Sequence, residues 1–156
     1  MELRSGSPPD ASAIARLIAS FQSELTDDPS GAGAESYFAS VSLEAERNYL
    51  GSERYRYLVA LVGEELAGFI AIRDNSHLFH LFVARNHQRS GLARRLWEQA
   101  RHEAQLQGNP GNFTVNSSLR AVPIYKAFGF VPEGSVTTVH GISFLPMRRS
   151  VSPHDA

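Results

Sequence analysis

The stretch His77-Leu78-Phe79-His80-Leu81-Phe82-Val83-Ala84-Arg85-Asn86-His87-Gln88-Arg89-Ser90-Gly91-Leu92-Ala93-Arg94-Arg95 decides how the chain folds. Its first eight residues are mostly apolar and aromatic and read as a buried strand. From Gly91 the period changes, placing Leu92, Leu96, Ala100 and Ala104 on one helical face and arginines elsewhere. A strand that passes through a loop into a helix opening on glycine is an anion site. The unpaired N–H groups of the first turn point outward and the helix dipole adds positive potential, so a phosphate is held mostly by backbone. Gly91 has no side chain to obstruct a ligand, and small Ala93 extends that clearance. Arg89 and Arg94 add guanidinium groups, which grip phosphate with two prongs.

Working outward, residues 54–62 and 67–73 are β-rich runs around Gly63-Glu64-Glu65, the pattern of a hairpin, and residues 76–84 give a third consecutive strand. Upstream, residues 2–5 read as a short strand, and Asp10 is placed to accept a hydrogen bond from a free helix-start N–H. Ile14, Leu17, Ile18, Phe21 and Leu25 then form one apolar stripe of a helix expected to end near Asp27. Residues 30–36 read as a flexible loop, and a second helix is expected over 42–51. Downstream of the 91–107 helix, Gly108 is a stop. Residues 113–117 are β-like, 120–128 helical and closed by Gly129, and 134–140 with 142–148 a last strand pair. The fold class is α/β in the α+β sense: a mixed, mostly antiparallel sheet of six to seven strands flanked by about four helices. Residues 1–149 form one domain, and 150–156 a tail.

A chain of 156 residues buries roughly 68 to 70% of the surface it exposes unfolded, enough for one core. Apolar residues at 42% and charged residues at 20% argue against both disorder and a membrane protein. The absence of cysteine removes disulfides, thiolate metal sites and a cysteine nucleophile together. No stretch approaches the roughly 20 apolar residues of a membrane span, and the first ten residues lack a signal-like apolar run. The expectation is a cytoplasmic protein with neither membrane nor nucleic-acid partner, the net charge being only −1. That charge is unevenly spread. The first 50 residues hold Glu2, Asp10, Glu24, Asp27, Asp28, Glu35, Glu44 and Glu46 against three arginines; residues 77–101 hold five arginines against Glu98. Either these are solvated helix faces, or an anionic cofactor meets the second segment and a cationic acceptor the first.

Gln88-Arg89-Ser90-Gly91-Leu92-Ala93 matches the (Arg/Gln)-x-x-Gly-x-(Gly/Ala) signature of the GNAT acyltransferase superfamily. Further on, Ala121-Val122-Pro123-Ile124-Tyr125-Lys126-Ala127-Phe128-Gly129-Phe130 is similar to its Ala-x-x-x-Tyr-x-x-x-Gly-Phe helix. Element order resembles the same family over nearly the whole chain. The resemblance implies acetyl-coenzyme A as co-substrate and no metal, with the pyrophosphate cradled by residues 88–93 and Arg94. The backbone of Leu81, Phe82 and Val83 would meet the pantetheine arm and acyl carbonyl. The acceptor would be a small-molecule or peptide amine, and the assembly a monomer or homodimer.

Aminolysis of a thioester needs a deprotonated amine, a stabilised carbonyl oxygen and a proton for the departing thiolate. Tyr125, matching the family tyrosine, is protonated at neutral pH because a free phenol titrates near about 10, and is the candidate acid. A glutamate that certain family members carry at the start of the fifth strand is matched here by Phe113, which takes no proton. On the fourth strand His77 lies on the side of Phe79 and Leu81, and His80 on the other, unless a bulge alters that parity. His77 is the candidate base. Ser118 stands seven residues before Tyr125, where the family often has asparagine, and Asn116 lies two residues earlier; either suits the pantetheine or acyl end, and Ser118 also suits a helix cap. The resulting expectation is an N-acetyltransferase working by direct attack in a ternary complex. The alternative is a catalytically silent acyl-coenzyme A sensor. The acids of the first two helices favour a cationic acceptor such as a polyamine, aminoglycoside or lysine side chain.

Overall fold

The computed structural model describes residues 1–151. The chain runs β1 (Glu2–Ser5), α1 (Ala11–Ala19), α2 (Gln22–Leu25), α3 (Glu35–Ser40), α4 (Leu43–Leu50), β2 (Tyr55–Val62), β3 (Glu65–Arg73), β4 (His77–Val83), α5 (Leu92–Leu106), β5 (Phe113–Ser118), α6 (Val122–Ala127), β6 (Val131–Pro132), β7 (Thr137–Val139) and β8 (Ile142–Arg149). Residues 152–156 of the expected tail lie outside the described residues. The strands form one sheet in the order β1-β2-β3-β4-β5-β8-β6, with β7 also paired to β8. All pairings are antiparallel except β4 with β5. No helix among the described residues is long and apolar enough to cross a membrane.

Several local expectations are corrected. The single first helix is broken after Ala19, where the Ser20 hydroxyl donates to the Leu17 carbonyl at 2.6 Å and competes with the helical ladder. Asp10 does not cap α1; its carboxylate accepts from the Ser7 N–H at 2.9 Å and from the Arg4 guanidinium through two bonds of 2.9 Å. Part of the expected loop is α3, whose Phe38 ring lies against Gly31, leaving no space there for a Cβ. Strand β6 was not anticipated, since a two-residue strand shows no alternation to read. Ser42, by contrast, caps α4 by accepting from the Ala45 N–H at 3.2 Å.

The period-2 alternation of β2 and β3 sorts the core onto two faces. Leu58, Ala60, Ile70 and Ile72 meet Leu92, Leu96, Trp97 and Ala100 of α5. Tyr57, Val59, Phe69 and Ala71 meet Ile14 and Ile18 of α1. Trp97 is the keystone of the α5 face: 1% exposed, it packs edge-on to Phe113 and stacked on Phe128 at 5.0 and 5.8 Å between centroids.

Two irregularities position the site. Opposite Ala71 and Ile72 of β3, strand β4 offers His80 and Leu78, so Phe79 is an extra, bulged residue. Leu78 consequently joins the α5 face, while His80 turns toward the α1 face with Phe79 beside it, the ring centroids 4.1 Å apart. Strand β4 then pairs with β5 only at His77–Thr114 and Leu78–Val115, and beyond that point the two strands part.

Candidate active site

A groove of about 680 Å³ fills the opening between the separated strands. Its floor is β4. The Ala84 N–H bonds the Ala67 carbonyl of β3 at 2.8 Å, so by the alternation of an antiparallel ladder the N–H and C=O of Leu81 and Val83 face away from β3, toward the groove. The Val83 carbonyl takes the Gln88 side chain at 3.0 Å, which ties the following loop to the strand. The main-chain N–H groups of Leu81 and Val83 point into the open side.

At one end lies the opening of α5. Arg89 and Gly91 both adopt left-handed backbone, with φ of 61° and 82°. Such a conformation strains any side chain, and above Gly91 an added Cβ would meet nothing within 4 Å. The first bond of the helix runs from the Arg95 N–H to the Gly91 carbonyl. No side chain caps the helix, so the amides of Leu92, Ala93 and Arg94 have no partner among the described residues. Arg89 lines the groove, and Arg94 reaches it with its guanidinium 5.2 Å above the Phe128 ring. Gln88, Leu92 and Ala93 line it too; Ser90 does not, and its hydroxyl is spent on the His87 carbonyl.

The opposite wall comes from α6. Tyr125 is 5% exposed, held between Phe128 and Phe130, yet lines the groove, and its hydroxyl has no hydrogen-bond partner among the described residues. Burial pushes this phenol above its ordinary value, so it stays protonated. Ser118 also lines the groove and does not cap the turn that follows it.

His77 and Asn116 lie elsewhere. His77 sits at the closed end of the split, Nδ1 2.8 Å from the Thr114 hydroxyl, and does not line the groove. Burial, with help from Arg73, lowers it to about 4, leaving it neutral at neutral pH. Asn116 is exposed and, by alternation with Phe113 and Val115, stands on the sheet face away from α5. The acids read as a cationic-acceptor wall are mostly engaged too. Glu24 alone of them lines the groove, 2.8 Å from Arg85 and 3.8 Å from Arg120. Asp27 accepts from Ser143 at 2.7 Å, and Asp28 accepts from Ser30.

One group went unread in the sequence. Glu46, with no exposed surface, stands beneath the α1 face: its Oε1 accepts from the Tyr57 hydroxyl at 2.6 Å and its Oε2 lies 3.0 Å from His80 Nε2. The only clue was an acid at a core-facing position of a short helix, visible once its neighbours in space are known. Burial first, then the Glu46 charge, raises the Tyr57 phenol above its ordinary value; the same two causes raise Tyr37 to about 12.

A search of curated protein sequences found no significant match. Solved structures do resemble the fold. A GCN5-related N-acetyltransferase (aminotransferase, class II) from Rhodopseudomonas palustris superposes with a TM-score of 0.76 at 18% identity, covering 96% of this chain and 95% of that one. The PaiA N-acetyltransferase from Thermoplasma acidophilum in complex with coenzyme A gives 0.68 at 18% identity, covering 96% and 99%. An aminoglycoside 6'-N-acetyltransferase complexed with coenzyme A gives 0.72 at 14% identity, covering 98% of each chain. The family model of the acetyltransferase (GNAT) domain matches residues 25–151, which spans the split strands, the α5 opening and α6. By that match over most of its length, the chain belongs to the GNAT acetyltransferase domain family.

Proposed function

We propose that the protein is an acetyl-coenzyme A-dependent N-acetyltransferase that passes the acetyl group directly to an amine within a ternary complex. One observation carries the reading: a row of main-chain donors without partners among the described residues, Leu81 and Val83 on β4 followed by Leu92, Ala93 and Arg94 at the α5 opening, lines one continuous groove. Coenzyme A fits those donors chemically. Its diphosphate needs N–H groups and positive charge, which the α5 opening, Arg89 and Arg94 supply. Its pantetheine amides need the edge of an unpaired strand, which β4 offers beyond Leu78. Two coenzyme A-bound proteins share the fold, which agrees with that assignment.

In this reading the Leu81 N–H stabilises charge on the acyl oxygen, since a fixed donor in a dry groove acts where the charge develops. Tyr125 holds a proton for the departing sulfur. Its hydroxyl has no hydrogen-bond partner among the described residues and is not sealed from the groove, so it is free to donate. The acceptor is an amine, small or peptidic. With Glu24 already neutralised by arginines, the cationic class expected from the sequence rests on weaker ground than the amine itself. The cytoplasmic location and the lack of a metal expected from the sequence remain part of this reading.

The test is thiol release from acetyl-coenzyme A over a panel of amines, amino acids, polyamines and peptides, with Tyr125→Phe beside the native protein. Loss of a positioned acid lowers kcat by about 10²–10⁴ while leaving acetyl-coenzyme A affinity intact. Stabilisation of the fold by acetyl-coenzyme A without turnover on any amine would instead identify a sensor.

A further inference from the structure

We infer that His80, held by Glu46, is the group that takes the proton from the acceptor amine; this rests on the acetyl-transfer reading above. The bulge at Phe79 turns His80 onto the α1 face of the sheet, two residues beyond the last β4–β5 pair and directly before Leu81. Its side chain therefore stands beside the strand edge whose backbone meets the acyl carbonyl, but on the face away from α5, the face that also carries exposed Thr114 and Asn116 of β5. On this assignment the amine enters from that face, opposite α5.

The ring is oriented. On this assignment Glu46 is the acceptor, Nε2 at 3.0 Å is the donor, and the lone pair falls on Nδ1. Nδ1 has no hydrogen-bond partner among the described residues, where the sealed side-chain polar atoms without a hydrogen bond are Arg56 Nε and His87 Nε2; Nδ1 accordingly belongs to the 7% of His80 that solvent still touches. The groups packed on the ring are Glu46 from α4, Tyr57 from β2, Phe69 from β3, and Phe79 and Phe82 from β4, and Glu46 is the only carboxylate among them. Tyr57 occupies the other oxygen of Glu46, which fixes the carboxylate in turn.

The step balances as follows. An alkylammonium gives one proton to His80 Nδ1, and the freed lone pair forms the C–N bond at the thioester carbonyl. The C–S bond breaks, the thiolate takes the Tyr125 proton, and the second amine proton returns to Tyr125 through water. The imidazolium releases its proton to solvent, so ammonium and thioester yield amide, thiol and one proton.

The experiment compares His80→Gln and Glu46→Gln with the native protein on butylamine and phenethylamine, each paired with its β,β-difluoro analogue, whose amine is largely neutral at the assay pH. With the alkylammonium acceptors His80→Gln is expected to lose about 10²–10⁴ in kcat with the acetyl-coenzyme A KM unchanged, and most of that loss is expected to vanish with the fluorinated partner. Glu46→Gln follows the same pattern more weakly. Equal losses on both members of a pair, or no loss, overturn the assignment. Nitrogen NMR of the native protein gives a reading independent of any variant: the Nε2–H tautomer at His80 supports it and the Nδ1–H tautomer refutes it. If the native protein turns over none of these four probes nor any amine of the wider panel, the acetyl-transfer reading itself falls, and the base with it.

Discussion

On the α5 side of the split between β4 and β5 the polar groups that matter are main-chain amides, whereas on the α1 side they are side chains. The first set belongs to consecutive residues, Leu92 to Arg94, whose freedom from internal bonds follows from the start of a helix and one glycine. The second set joins Glu46 of α4, Tyr57 of β2 and His80 of β4, which meet only because two layers pack. Recognition by backbone tolerates change in side chains and keeps the cradle the same among enzymes with different acceptors. In the acetyl-transfer reading proposed above, recognition by a packed side-chain network ties the acceptor side to this chain's own core.

The comparison is broken most forcefully through the packing that supports each side. Trp97→Ala empties a site bounded by Phe113, Phe128 and Phe130, and is expected to lower unfolding free energy by about 3–5 kcal/mol in denaturant titrations. Glu46→Ala removes no large apolar surface but strands the Tyr57 hydroxyl and the His80 ring without their acceptor. The expected loss is about 2–3 kcal/mol, and Glu46→Gln, which keeps the volume and one acceptor oxygen, should lose less than half of that. Equal losses for the two Glu46 variants would mean that the charge and paired oxygens of the carboxylate, and not its volume, carry the stability.

The same contrast explains what could be read in advance. The β4–α5 passage was legible as strand, loop and helix because its signals stand in adjacent residues: a change of period, a glycine, small Ala93. So were β2, β3 and β4, whose alternation survives any packing detail. The break at Ser20 hides in an unbroken apolar stripe, because it comes from one hydroxyl choosing a carbonyl. Glu46 and His80 stand 34 positions apart, and neither looks unusual alone; the bulge that brings His80 round is set by its register with β3, which no single strand reveals. His77 was chosen as base from an ideal parity, which the bulge at Phe79 changes downstream of it.

A smaller perturbation sharpens the backbone side. Gly91 sits at φ 82°, where an alanine would be strained by about 1–2 kcal/mol, but its Cβ would touch nothing in the protein. Gly91→Ala should therefore lower the melting midpoint slightly while strongly reducing the extra stability conferred by acetyl-coenzyme A, which at 100 times Kd amounts to about 2.7 kcal/mol in the native protein. A variant that melts earlier yet keeps the full ligand-induced shift would separate the amides from coenzyme binding.

The smallest effect concerns His77, on the α1-side edge of the closed end of the split. Its imidazole is lowered to about 4, first by burial and then by Arg73, against the ordinary 6.5. Between those values the unfolded chain binds a proton that the folded chain refuses, so stability rises with pH across the window. The contribution is fully present above about 6.5 and is lost as pH falls toward 4. The ring keeps an exposed edge, so solvent screening reduces the effect to about 1 kcal/mol. His77→Asn keeps a polar partner for the Thr114 hydroxyl and removes the titration, and should flatten the melting midpoint against pH between about 4 and 6.5. Thiol release at neutral pH should stay at the native rate, because the Thr114 hydroxyl engages His77 Nδ1 at the closed end of the split. A fall in kcat with an unchanged pH–stability profile would return the proton-accepting role to His77 and take it from the Glu46–His80 pair.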